Sequence, residues 1–217
     1  MVQNNSINKK TEDLVINKAA GDPFVNFQIG GADKFTLGVD DTDSDMLKIT
    51  TGASPSAGTT YWNMTSAGER TMPLQSAFFC YMSASAANLT GDSTNATAVF
   101  NLERWDQNAD FDTGTYTFTA PVTGKYYVGA NLNTYGFNAH TLLRAFFATS
   151  NYGYRTFQYV NGANIPAGSS ISTPFSFVCD MDAADTAYIS FIVDGGTKVI
   201  SQAADQGVSY FSMALIC

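Results

Sequence analysis

Short runs in which apolar and polar side chains alternate, broken by turn residues about every ten positions, commit this chain to strands. The pattern is sharpest between Thr115 and Leu132. Tyr116, Phe118 and Ala120 alternate with Thr115, Thr117 and Thr119, which predicts one buried face and one wetted face. Pro121, which fixes φ, and Gly124, which tolerates a corner, break the run. Tyr126, Val128, Ala130 and Leu132 resume it on a second strand, and Asp112 with Gly114 marks a turn ahead of the pair.

The same signals continue on both sides. Phe78, Phe79 and Tyr81, then Val99-Phe100, read as strands separated by a polar loop from Asn88 to Thr97. Residues 142–147 (apolar on both faces), 155–160, 171–179, 187–193 and 210–216 follow as strands. Asn151-Tyr152-Gly153, Asn161-Gly162, Pro166-Ala167-Gly168 and Gly195-Gly196 mark turns. So many short strands, with no competing helical pattern, predict an all-β antiparallel sandwich of two sheets. Phe100, Tyr116, Phe118, Tyr126, Val128, Phe211 and Leu215 are its expected core.

Three segments are predicted: an arm over residues 1–13, a β-rich segment over 14–72 and a head over 73–217. The arm is polar and charged, with nothing to bury, so it orders only against a partner. The middle segment starts at Leu14 and Ile16. It continues with Val25, Phe27 and Ile29, then Phe35, Leu37 and Val39, then Leu47 and Ile49, then Tyr61 to Met64. Four or five lean strands in ~60 residues do not close a core of their own. Trimerisation, in which each copy lays strands against the other two, is the expected remedy.

Part of the head resembles the globular head of complement component 1q and the tumour-necrosis-factor-like jelly-roll family. The residues that carry the likeness are Phe100, Asn108, Phe111-Asp112, Gly114, Phe118, Pro121, Gly124, Tyr126-Tyr127 and the final strand from Tyr210 to Ile216. The strand before that last one follows a Gly-Asp pair in the family and Ala184-Asp185 here. Residues 22–52, with their Asp-Pro, Gly-Val-Asp and Lys-Ile elements, resemble β-rich shafts of bacteriophage fibres. Both resemblances imply a homotrimer: a jelly-roll head on a trimeric shaft. Together they suggest a virion surface protein made in a host cytoplasm, either a short fibre or a capsid decoration protein. Such a protein would be anchored to other virion proteins by its arm and would stabilise the particle or adhere to host-surface glycan. A tail-fibre or tailspike tip, or a secreted recognition protein of the complement-1q type, are the alternatives.

Charge and composition narrow the chemistry. Nineteen acidic and 11 basic residues give a net charge of −8 without a basic cluster, which argues against nucleic acid as a partner. No apolar run reaches the ~18–20 residues of a membrane span, and residues 1–13 lack the apolar core of a secretory signal. Cys80, Cys179 and Cys217 cannot all pair. Reduced thiols are expected, with a Cys80–Cys179 bridge open if their strands are neighbours. His140 is the single histidine, and neither a nucleophile elbow nor a phosphate loop is present. Glu103, Asp106, Asp110 and Asp112 are the carboxylates a glycosidase could use, but they fall where turns want them. No enzyme activity and no cofactor is therefore expected.

Two candidate sites remain. Tyr135, Phe137, Tyr152 and Tyr154 are expected in loops, where exposed rings stack on sugars. Asp41, Asp43 and Asp45 match the first ligands of a calcium loop, although Met46 stands where its glycine belongs and Gly52 where its glutamate belongs.

Overall fold

The computed structural model describes residues 16–205 and 207–217, so the expected arm and Leu14 lie outside the described residues. The chain divides into two compact units, with the boundary between Leu74 and Gln75. Apart from one 3-10 turn at Gly162–Asn164, every regular element among the described residues is a strand.

The first unit is a five-stranded antiparallel meander: β1 (Phe24–Ile29), β2 (Ala32–Asp40), β3 (Met46–Thr50), β4 (Thr60–Met64) and β5 (Arg70–Thr71). Its turns fall at Gly30-Gly31, where both glycines take positive φ, and at the acidic stretch after Asp40. Ile16 is exposed and outside any strand.

The second unit contains β6 (Ala77–Tyr81), β7 (Ala86–Thr90), β8 (Asn95–Thr97), β9 (Leu102–Asp106), β10 (Phe111–Asp112), β11 (Thr117–Thr119) and β12 (Gly124–Tyr135). It continues with β13 (Leu142–Thr149), β14 (Gly153–Tyr159), β15 (Ser170–Met181), β16 (Thr186–Asp194), β17 (Ile200–Gln202) and β18 (Tyr210–Leu215). One sheet runs β15-β12-β18-β6-β9, with β17 and β7 beside the far end of β12. The other runs β10-β11-β16-β13-β14, with β8 also on β16. All pairings are antiparallel. The chain crosses from sheet to sheet at β7–β8, β8–β9, β9–β10, β11–β12, β12–β13, β14–β15, β15–β16 and β16–β17, and the unit's first and last strands, β6 and β18, lie side by side. That path is a jelly roll.

Alternation dictates what the two sheets enclose. Tyr126, Val128, Ala130 and Leu132 of β12 face inward beside Phe78, Phe211 and Met213. Leu143, Ala145 and Phe147 oppose them from β13, and Ile189, Phe191 and Val193 from β16. Phe78 sits at the centre of the rings, with centroids 4.7 Å from Phe111, 5.3 Å from Phe118 and 5.0 Å, edge-on, from Phe211. The Tyr126 hydroxyl satisfies itself by donating to the Val122 carbonyl at 2.7 Å.

The structure corrects several expectations. Tyr116 is not in a strand; it closes the β10–β11 turn at φ 61°, its N–H donating to the Asp112 carbonyl at 2.7 Å, and is only half-buried. Leu215, near the chain's end, is also half-buried. The span from Asn88 to Thr97 holds the end of β7 and all of β8, whereas Val99-Phe100 lies outside any strand, with the Val99 N–H and carbonyl bonded to the Gln202 side chain. Ala184 takes φ 72°, a left-handed conformation that favours glycine.

The cysteines do not bridge. Cys80 on β6 and Cys179 on β15 are separated by β18 and β12. Three strand spacings put them ~14 Å apart, beyond disulfide reach. Burial raises both thiols, that of Cys179 to about 11, so both stay protonated.

Replacing Phe118, which is fully buried against Phe78 and Tyr126, by alanine is expected to cost about 3–5 kcal/mol. Equilibrium denaturation measures it; an unchanged midpoint would mean that the ring is not enclosed.

Candidate functional site

A sandwich sheet that faces water normally carries polar residues outside. The outer face of the β15-β12-β18-β6-β9 sheet does not follow that rule. Its cross-strand register lines up Leu102, Tyr81, Tyr210, Asn131 and Pro174 on one rung, and Trp105, Phe79, Ser212, Gly129 and Ser176 on the next. Ala77, Ala214, Tyr127 and Val178 form a third. Trp105 is 46% exposed, Tyr127 44% and Val178 51%. The rings of Phe79 and Tyr210 stack at 5.4 Å. The Tyr127 ring lies over Gly129, with its hydroxyl 3.0 Å from that of Ser176. Charge stands at the rim of the face, where Lys125 and Asp180 approach to 3.9 Å.

Beside this face lies an open flank of the sandwich. β14 pairs only with β13, and β15 only with β12, so both present a free edge. A groove between them is lined by residues 151–156 and 174–177. Tyr154 and Phe177 stack across it at 4.5 Å. Free edges with apolar side chains invite pairing with another chain.

The four expected ligand-binding rings are not brought together. Tyr152, 65% exposed in the β13–β14 turn, and half-buried Tyr154, the second residue of β14, meet edge-on at 5.0 Å. They line a depression with Thr123, Lys125, Asp180 and Asp182. Tyr135 lies at the other end of β12, eleven residues and ~35 Å from Gly124. It belongs to the strand, paired with Ser170 and Ser201. Phe137 is buried against His140, because the turn after β12 folds back over the sandwich end; it offers no face to a ligand.

His140 itself is a structural post. Its Nδ1 accepts the Asn138 N–H at 3.2 Å, which leaves the Nε2–H to donate to the Thr197 carbonyl at 3.1 Å. A methyl group on Gly196 would fall 2.3 Å from that ring. Of the four carboxylates a hydrolase could use, Asp106 and Asp112 are engaged in backbone work, Asp110 accepts the Asn108 side-chain amide, and Glu103 is exposed on β9. Asp106 accepts the N–H groups of Asp110 and Phe111, and Asp112 accepts Gly114 N–H at 2.7 Å. The Gly114 and Thr115 hydrogen bonds hold the Asp112 carboxyl below its usual range.

In the first unit Asp41, Asp43 and Asp45 do not converge. Asp41 accepts Gly21 N–H at 2.9 Å, Asp43 pairs with Lys48, and Asp45 is exposed at φ 58°. Asp41 instead clusters with Asp22 and Asp40. The cation in this region is the Lys48 ammonium, buried and 2.8 Å from Asp40. Hydrogen bonds from Lys48 and Thr42 lower the Asp40 carboxyl. Burial opposes the charge on Lys48, but its bonds to Asp40 and Asp43 outweigh that and raise it.

No protein-family model and no curated protein sequence matches the chain. Solved structures do. The globular domain of zebrafish complement 1qA protein is similar at 17% identity, over 66% of this chain and 98% of that one, with a TM-score of 0.45. Murine APRIL gives 6% identity over 65% and 99%, with 0.46. Eiger TNF from S. frugiperda gives 11% over 66% and 92%, with 0.47. The jelly-roll assignment rests on the strand order described above.

Lys48→Met strands the Asp40 carboxylate in a buried site and is expected to destabilise the first unit by about 3–5 kcal/mol, read as hydrogen exchange in β2 and β3. In the unaltered protein the pair stabilises fully between pH 3.8 and 10.5, the ordinary values of its two members; its contribution is lost as pH falls through the lowered Asp40 value or rises through the raised Lys48 value. Exchange in β2 and β3 that Lys48→Met leaves unchanged would refute the role given to this pair.

Proposed function

We propose that the chain is a homotrimeric display protein of a virion surface, a short fibre or capsid decoration protein, whose head adheres to host-surface glycan and is not a catalyst. The observation that carries the reading is the apolar outer face of the β12 sheet, next to the free edges of β14 and β15. An edge of one copy laid on the face of the next is a heterologous contact, and such contacts close into rings when the rotation permits. The number three comes from the resemblance that both parts of the chain carry, and the virion setting from the fibre-shaft likeness of residues 22–52.

Ring formation would bring together three copies of the depression at the β13–β14 turn, which Tyr152 lines with Thr123, Lys125 and Asp182. Weak stacking on sugar rings then adds through avidity. The arm at residues 1–13 is the proposed anchor to other virion proteins. Asp106 and Asp112 hold turns, which supports adhesion over hydrolysis.

The test immobilises bacterial surface polysaccharides and compares the unaltered chain with Tyr127→Glu, which puts a charge in the middle of the proposed contact. The unaltered protein should bind without shortening the polymer, and the variant should bind ~100-fold more weakly as avidity is lost. Shortened polymer would replace the adhesin with an enzyme. Equal binding by both proteins would remove the ring.

A further inference from the structure

The outer face of the β16-β13-β14 sheet carries a row of side chains that the sandwich does not use. On β14, Arg155, Phe157 and Tyr159 alternate with half-buried Tyr154, Thr156 and Gln158. The first three are exposed, Phe157 to 56% and Tyr159 to 92%. Alternate residues of a strand stand ~7 Å apart, so a guanidinium and two rings form an extended track. Register sets Phe146, Arg144 and Leu142 of β13 beside it, and Ser190, Ile192 and Asp194 of β16 beyond. Two of the three charges on this face cancel, because Arg144 Nη2 donates to both oxygens of Asp194 at 2.9 and 2.8 Å. The third does not. Arg155 lies over the Phe146 ring at 5.8 Å and pairs with no carboxylate among the described residues. A face with one cation in surplus thus stands on a chain of net charge −8. It is turned away from the β12 sheet, whose outer face is the one the proposed ring covers.

We infer that this row binds acidic polysaccharide, with Phe157 and Tyr159 stacking on sugar rings and Arg155 holding a sugar carboxylate. The inference rests on the glycan adhesion proposed above; it names the class of sugar and a place for it outside the β13–β14 depression. Three considerations select this occupant. The first is charge complementarity. A guanidinium resting on a ring presents its free N–H groups to a carboxylate, and its planar fork matches that group. The second is size. Three strands ~4.8 Å apart over five residues cover roughly 250 Å², against ~800 Å² per partner in a stable protein–protein interface. A repeating polymer does not need that area, because weak sites add along the ligand and across copies of the chain. The third is the count of cations. One surplus arginine is too few for an anionic bilayer, where about four to eight basic residues act together, and too few for nucleic acid. The depression does not compete for such a ligand, since Asp180, Asp182 and Asp185 line it against the one ammonium of Lys125.

Polygalacturonate and its methyl ester present one polymer with and without carboxylates. Both are immobilised, and the full-length chain is titrated over them. The unaltered protein should bind the acid on the order of tenfold more tightly than the ester, as expected for a charge-assisted bond. Arg155→Gln should abolish that preference. Phe157→Ser with Tyr159→Ser should weaken binding to the acid about tenfold, as lost base-like stacking does. Tyr152→Ser, in the depression, should leave it unchanged. The three row positions are exposed, so an unchanged denaturation midpoint confirms that each variant folds. Equal binding of acid and ester, lost with Tyr152→Ser and kept in the row variants, would overturn this inference and leave glycan adhesion standing. Binding to neither polymer would also overturn it, and the bacterial polysaccharides of the preceding test would then decide adhesion by themselves. Vesicles of anionic phospholipid that bind as tightly as the acid, and lose binding with Arg155→Gln, would replace the polysaccharide with a membrane.

Discussion

A strand has two faces, and this chain has more apolar strand positions than one protomer has inside places for. The constraint acts twice. In the head, the sandwich encloses the Phe78–Phe211 cluster and leaves Phe79, Trp105, Tyr127 and Val178 on the outer side of the same strands. In the first unit a single sheet has one cover, and that cover lies on the polar side. The self-association proposed above would cover such apolar strand faces through pleat geometry and side-chain order, without any special sequence motif.

Much of the fold was legible because alternation and turn residues act locally. The inward set on β12, the turns at Gly30-Gly31 and after Asp40, and strands β13 to β16 all follow from period two and from residues that tolerate corners. What escaped depends on neighbours far along the chain. Ala86–Thr90 and Asn95–Thr97 are polar stretches that become strands because β17 and β16 offer them free edges. Leu102–Asp106 pairs with β6 across a bulge, which hides its alternation. Alternation also says which residues share a face and never which face is covered; hence the inverted first sheet could not be read from sequence.

The candidate sites show the same division. Aromatic residues near turns were visible, but Phe137 is folded inward while Tyr152 points out, and only tertiary structure separates them. The acidic run after Asp40 resembled a cation loop because carboxylates recur at every second residue. The structure gives Asp40 and Asp43 to Lys48, five residues beyond Asp43, and so offsets part of the turn's charge with the chain's own ammonium. The aromatic face of the head sheet was hidden in plain sequence. Phe79, Tyr127 and Tyr210 each read as ordinary strand residues until register placed them on one surface.

Sedimentation equilibrium of the unaltered chain tests the central claim directly. Three copies of the 23.3 kDa chain should sediment together as a species of roughly 70 kDa, stable to dilution into the micromolar range. A single species at the protomer mass under those conditions would contradict the account, because both apolar faces would then stand open to water.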